Sequence, residues 1–354
     1  MALRNSTFRP KKRDQILVID LGTRMTKAIL LQRKGSLYHL VSYAVLEAPQ
    51  GEKAPTAEVL AEHLRKVIHA LEARTKAVTV AVGVSDSLLR HVEMSMVPVS
   101  DLRQMLKLNT KMYLQQDLPD YVFDCQILPP RVTAGGAEPP KSPPKCRVVV
   151  GGAKRQYVLD LQTAIRAAGY VPDEIIPGSV GPVNAFELAH PDVFRKEVVA
   201  LVDLGFKNST ISILQTGELM LSRVVGIGGD KLTSGLAEAM NISYAEAEGI
   251  KVGMPQEVES ALQPQVVPLG RELRASIDFF EHQQDQTVSQ VFISGGCARS
   301  EFIVQNLQSE LMVPCHTWNP VKSIEVTLKP QAMVELEQTA IQLTVAVGTA
   351  VAVM

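Results

Sequence analysis

Apolar and polar positions along this chain switch between two regimes, and the first stretch already shows the one that matters most. "LVIDLGTRMTKAILLQ" (17–32) is an apolar strand ending in Asp20-Leu21-Gly22, a polar turn, and a second apolar strand. "LVDLGFKNSTISILQTGELM" (201–220) repeats that layout, with Asp203 lying 183 positions after Asp20. The apolar runs are those expected of buried strands. A single hairpin with Asp and Gly in its turn is ordinary. Two with the same internal order predict a duplicated half.

The pattern divides the rest. Residues 15–89 read strand, turn, strand, strand, helix, strand: "LYHLVSYAVL" follows the hairpin, "TAEVLAEHLRKVIHALEA" has helical spacing behind a Thr56 cap, and "AVTVAVGV" is a buried strand. Residues 90–177 form a differently flavoured α/β insert. It opens with "VEMSMVPVSDLRQMLKLNTKMYLQQ", where Ser100 is the candidate cap, and "YVFDCQILPP". The Pro- and Gly-rich 131–145 reads as a mobile loop. "CRVVVGGAKRQYVLDLQTAIRAAGYVPDEIIPG" then reads strand, helix, strand. Residues 178–196 return to the first unit, 197–230 and 287–340 build the second core, 231–286 are helical, and 341–354 end in a helix. Residues 1–14 read as a flexible arm.

Composition narrows the class. A chain of 354 residues has room for two domains, and 46% hydrophobic with 21% charged residues marks a globular protein. A net charge of −1 supplies no basic field for nucleic acid or anionic membrane. Cys125, Cys146, Cys297 and Cys315 have no CxxC spacing, which argues against a zinc site or disulfide framework and fits a reducing compartment. "AIQLTVAVGTAVAVM" falls short of the roughly 20 residues that span a bilayer, so a packed helix without membrane insertion is expected. The N-terminal cations precede no apolar core of signal-peptide type.

The turns carry the candidate chemistry. Asp20 and Asp203 each stand at the mouth of an apolar strand, where paired carboxylates can hold Mg²⁺ through its waters. Gly22 and Gly205 let backbone N–H groups approach an anion, and Lys27 can neutralise phosphate charge. "FISGGCARS" ends a buried strand in Gly295-Gly296, open to a flat group. "VGIGGD" sets Gly226, Gly228 and Gly229 at a helix start, and "ISYAEAEGIKVG" places Glu248 and Lys251 three apart on one helical face.

In this order the five features resemble the actin-like ATPase superfamily, within it the FtsA/PilM branch, and most specifically the PilM family of type IV pilus assembly. "LVDLGFKNSTISILQTGELMLSRVVGIGGDKLT", "ISYAEAEGIKVG" and "LGRELRASIDFF" carry the resemblance. It implies an α/β, ribonuclease H-like duplicated, two-lobed fold, with 90–177 as a 1C-type subdomain and ATP with Mg²⁺ in the cleft. Asp20 and Asp203 would hold the metal waters. Gly22, Thr23, Lys27, Gly205, Asn208 and Ser209 would cradle phosphates, and Gly228, Gly229, Glu248, Lys251, Gly295 and Gly296 would surround ribose and adenine.

The resemblance further implies a cytoplasmic adaptor, peripheral to the inner membrane, that binds the N-terminal tail of a PilN-like membrane protein in a groove involving the insert. Other pilus assembly proteins and a homo-oligomer stay open as partners. Two departures stand out: Arg24-Met25 and Phe206-Lys207 occupy turns where the family has small residues. Asn184 and Glu187 are the nearest water-orienting candidates, and no catalytic residue is assigned, so ATP is expected to be structural or switching, with slow or no turnover. A sugar or metabolite kinase and an FtsA-like filament protein remain as alternatives. The first needs a catalytic Asp, and the second a cationic amphipathic tail that "GTAVAVM" does not resemble.

Overall fold

The two apolar hairpins each seed a mixed sheet. The computed structural model describes residues 13–51, 55–128, 145–254 and 257–354. Most of the N-terminal arm and 131–144 of the Pro-rich stretch lie outside them. In chain order the first part runs β1 (Gln15–Leu21), β2 (Met25–Lys34), β3 (Leu37–Glu47), α1 (Ala57–Ala70), β4 (Ala77–Val82), β5 (Ser87–Ser95), α2 (Val99–Leu108), α3 (Thr110–Leu114), β6 (Tyr121–Ile127), β7 (Lys145–Lys154), α4 (Arg155–Ala167) and β8 (Val171–Pro177). Then follow α5 (Gly181–Ala189), α6 (Pro191–Lys196), β9 (Val198–Leu204), β10 (Ser209–Gln215), β11 (Glu218–Val225), α7 (Gly229–Met240), α8 (Tyr244–Gly253) and α9 (Glu259–Gln284). The chain closes with β12 (Gln290–Ser294), α10 (Glu301–Leu311), β13 (Cys315–Thr317), β14 (Glu325–Val326), α11 (Pro330–Thr339) and α12 (Thr344–Val353).

The first sheet has the order β14-β3-β2-β1-β4-β8 and the second β11-β10-β9-β12-β13. Apart from the edge strand β14, both place three antiparallel strands beside two parallel ones in the same sequence of positions. The duplication read from the sequence is therefore a duplication of topology.

Each central strand feeds two cores, which is why its apolar run is unbroken. In β1, Leu17 and Ile19 join α1 and α4 in an outer core, while Ile16 and Val18 face the other way. In β9, Ala200, Val202 and Leu204 pack with α7, α9 and α10, while Val199 and Leu201 turn inward. The inward faces meet in one shared core with α5 and α12, where Phe186 packs against Phe292 (4.6 Å between centroids) and edge-on to Trp318 (5.3 Å). Alternate side chains of a strand point to opposite faces, so two cores need no polar position between them.

Helix α1 starts as expected, with the Thr56 hydroxyl accepting from Val59 N–H. Helix α2 does not: it begins at Val99 behind Pro98, so Ser100 lies inside the first turn and bonds Asp101 instead. Helix α12 is mostly buried, as read, and crosses α5 closely. Among the described residues no single helix is long and apolar enough to cross a membrane. One bent pair, 330–342 with 344–353, passes on length and composition only and is folded by 86°.

The insert is smaller than the sequence division of 90–177. Its three-stranded sheet, β5-β7-β6, begins at Ser87 and packs on α2 and α3. Strand β8 instead pairs in parallel with β4, and Leu161, Ala164 and Ile165 of α4 fill the first outer core. Those elements look like an insert in the sequence because their partners lie about 90 residues upstream. Strand β14, divided with the second core, likewise pairs with β3 of the first sheet. Arg13, one residue short of the end of the N-terminal arm, is tied to Asp173 on β8.

Candidate functional site

The C-terminal ends of the parallel strands in both sheets open on one cleft. Strand register decides what surrounds each turn. Leu21 of β1 lies beside Val82 of β4, so the Gly83–Asp86 loop emerges next to the first turn. Asp203 of β9 lies beside Ser294 of β12, so Gly295-Gly296 emerges next to the second. Ligands sit outside the carboxyl ends of such strands because the diverging loops leave a crevice there.

The two turns share geometry as well as sequence. A Cβ at Gly22 would sit 2.5 Å from the Met25 carbonyl oxygen, and one at Gly205 would sit 2.5 Å from the Asn208 carbonyl oxygen. In both, the backbone doubles back three residues on so tightly that no side chain fits. The partners across the hairpins differ: Lys27 stands opposite Asp20, whereas Thr210 stands opposite Asp203.

A cavity of about 820 Å³ lies between the turns. At its floor Lys27 Nζ donates to Asp20 Oδ2 at 3.0 Å, with Asp20 only 5% exposed. Burial pulls the Lys27 ammonium down, but the Asp20 charge and hydrogen bond, with Asp203 behind them, outweigh it and hold its pKa above the ordinary lysine value. Asp203 accepts from Ser294 Oγ at 3.0 Å and Thr344 Oγ1 at 3.5 Å. Burial and the neighbouring Asp20 still push its carboxyl up, against the pull of Lys27 and these hydroxyls. A carboxylate so placed is receptive to a cation.

On the opposite wall, Lys251 is buried and donates to Glu248 (2.6 Å), which also accepts from Thr233 Oγ1 (2.6 Å). Burial raises Glu248, but Lys251, Thr233 and Arg24 together bring its carboxyl below the usual range. The pair is thus far from a solvated surface pair. Gly295 adopts φ of +94° and leads to Gly296, both at the cavity wall with Gly229.

Twelve of the fourteen residues singled out in the sequence line this cavity: Asp20, Gly22, Thr23, Lys27, Asp203, Gly205, Asn208, Gly229, Glu248, Lys251, Gly295 and Gly296. Ser209 and Gly228 do not. Ser209 is fully buried and its hydroxyl donates to the Ile227 carbonyl, which fastens the second turn from behind. Gly228 packs against the Phe206 carbonyl, too close for a side chain. Asn184 lies elsewhere, in a small hollow between the insert and the second sheet.

Other lining residues carried no signal strong enough to be found. Ser85 and Asp86 belong to a loop of ordinary composition, and only the β1–β4 register brings them in. Arg24 and Phe206 were visible as departures, but not as a pair. The Arg24 guanidinium lies 5.1 Å from the Phe206 ring centroid and 3.4 Å from Glu248, so it spans the cleft from one turn to the other wall.

Two mixed sheets of one topology, a shared helical core and a nucleotide-sized cleft define an actin-like ATPase fold. A structure of MreB5 of Spiroplasma citri bound to ADP is similar over 96% of both chains (TM-score 0.50, 10% identity). The ethanolamine utilization protein EutJ of Carboxydothermus hydrogenoformans is similar over 96% of this chain and 91% of its own (TM-score 0.55, 14% identity). The chain belongs to the type IV pilus assembly protein PilM family, whose model matches residues 18–353. A structure of a PilM–PilN type IV pilus biogenesis complex agrees over 97% of this chain and 99% of that one (TM-score 0.82, 20% identity). The cell division protein FtsA of Bacillus subtilis (strain 168) is 38% identical over 53 residues, which are 15% of this chain and 12% of that protein.

Proposed function

We propose that this protein is a nucleotide-gripping adaptor of a type IV pilus or related secretion machine, binding the cytoplasmic N-terminal tail of a PilN-like inner-membrane protein. The observation that carries the reading is the pair of matched turns facing each other over Asp20, Lys27 and Asp203, in a chain of the PilM family. ATP is the proposed ligand. Backbone N–H groups of the two turns, with Lys27 and Asn208, would take its phosphates. Asp20 and Asp203 fit Mg²⁺ held through water: both are carboxylates, both are recessed, and Asp203 is short of compensating charge. Glu248, Lys251, Gly295 and Gly296 would line the ribose and adenine end.

The partner tail would dock on a surface that includes the insert, and recruitment by that partner would place the protein at the inner membrane. ATP would act as a structural or switching ligand. Calorimetry with ATP, with and without Mg²⁺, on wild type and Asp203→Ala tests the clamp. Mg²⁺-dependent binding that disappears in the variant is the expected result, and nucleotide-independent behaviour of wild type would remove it. Fluorescence anisotropy with the labelled tail peptide tests the adaptor half separately, before and after deletion of 87–154.

A further inference from the structure

The two bulky departures in the turns are one device. Arg24 and Lys207 occupy the same place in the two repeats, 183 positions apart, and both cations lie over the face of Phe206, at 5.1 Å and 5.4 Å from its centroid. Lys207 is also held by Asp230 at 2.6 Å, and Asp230 in turn accepts from Tyr244. Lys27 is committed to Asp20, and Lys251 to Glu248 and Thr233. Arg24 has the looser attachment: its ion pair to Glu248 is 3.4 Å long, and its side chain is 35% exposed.

We propose that Arg24 is a phosphate-reading residue of this chain, parked on Glu248 and Phe206 until a nucleotide enters and then turned onto the phosphate chain. The proposal rests on the nucleotide-clamp reading above. Arg24 follows Gly22-Thr23 directly, so its guanidinium hangs from the turn whose backbone faces the anion. Its present partners are easily exchanged, because a partly exposed ion pair and an exposed cation–π contact each contribute little. A phosphate offers a planar guanidinium two parallel charge-assisted hydrogen bonds, a stronger contact than either. The exchange frees Glu248 Oε1, while Oε2 stays bonded to Lys251 and Thr233.

Titration of ADP with Mg²⁺ into wild type, Arg24→Ser, Arg24→Lys and Phe206→Leu tests this. Loss of one charge-assisted contact predicts that Arg24→Ser binds ADP about tenfold more weakly or worse. Arg24→Lys restores part of that loss, and Phe206→Leu binds ADP as well as wild type or better, because the parked cation is freed. Unchanged or tighter binding by Arg24→Ser would show that Arg24 only latches the lobes, and would overturn the assignment. Equal weakening by Phe206→Leu would overturn it too, since the loss would then follow from disturbing the Arg24–Phe206 contact itself and not from a missing phosphate partner. If wild type itself binds no ADP, the clamp reading falls and this one with it.

Discussion

Asn208 Nδ2 donates to Ser85 Oγ at 2.8 Å, joining the second turn to the loop after β4 across the cleft. With Arg24 on Glu248, it holds the two lobes together at the rim by direct side-chain contacts. Both contacts are exposed enough to break without dismantling either lobe. Removing this hydrogen bond with Ser85→Ala should shift the open–closed balance by about 1 kcal/mol, roughly fivefold. Stopped-flow binding of a fluorescent ATP analogue would show that as a faster association rate, with little change in melting temperature.

Asp203 predicts a trade between function and stability. Its folded carboxyl titrates above the ordinary 3.8, first because it is buried and then because Asp20 faces it. From pH 3.8 up to that raised value the native state holds a proton that the unfolded chain has lost, so this group's contribution to stability falls as pH rises through the window. Asp203→Asn keeps an oxygen for Ser294 and removes the charge. The expected result is a melting temperature at neutral pH higher by about 2 °C, together with loss of Mg²⁺-dependent ATP binding.

Lys27 behaves in the opposite sense. Its raised pKa means that the stability it supplies is intact below 10.5 and is lost as pH climbs through the folded value. Lys27→Ala leaves Asp20 recessed without its cation and should cost about 3–5 kcal/mol in urea unfolding at neutral pH. The double variant Lys27→Met with Asp20→Leu should recover most of that stability while remaining unable to bind Mg-ATP.

The helix crossing in the shared core gives a purely steric prediction. A Cβ on Gly348 of α12 would run into the Gly181 carbonyl of α5, whereas one on Gly249 of α8 meets open space. Gly348→Ala should therefore destabilise by about 3 kcal/mol through overpacking. Gly249→Ala should stabilise by about 0.5–1 kcal/mol through helix propensity alone. Thermal melts of the two variants, read side by side, check both signs.

Local chemistry was legible in the sequence by itself. Apolar runs announced buried strands, the repeated Asp-Leu-Gly turns announced a duplication, and the Thr56 cap and the buried C-terminal helix followed from composition and spacing. Most of the candidate site was readable for the same reason, since Asp, Gly and Lys in a turn state their chemistry within a few residues. What tertiary structure decided was which distant segments stand side by side. Parallel pairing carried β8 and α4 out of the insert into the first lobe and brought Ser85 and Asp86 to the cleft. It also turned Ser209 inward as a fastener and set Arg24 over Phe206, 182 residues away, because a pairing between separated strands leaves no periodic trace in either of them.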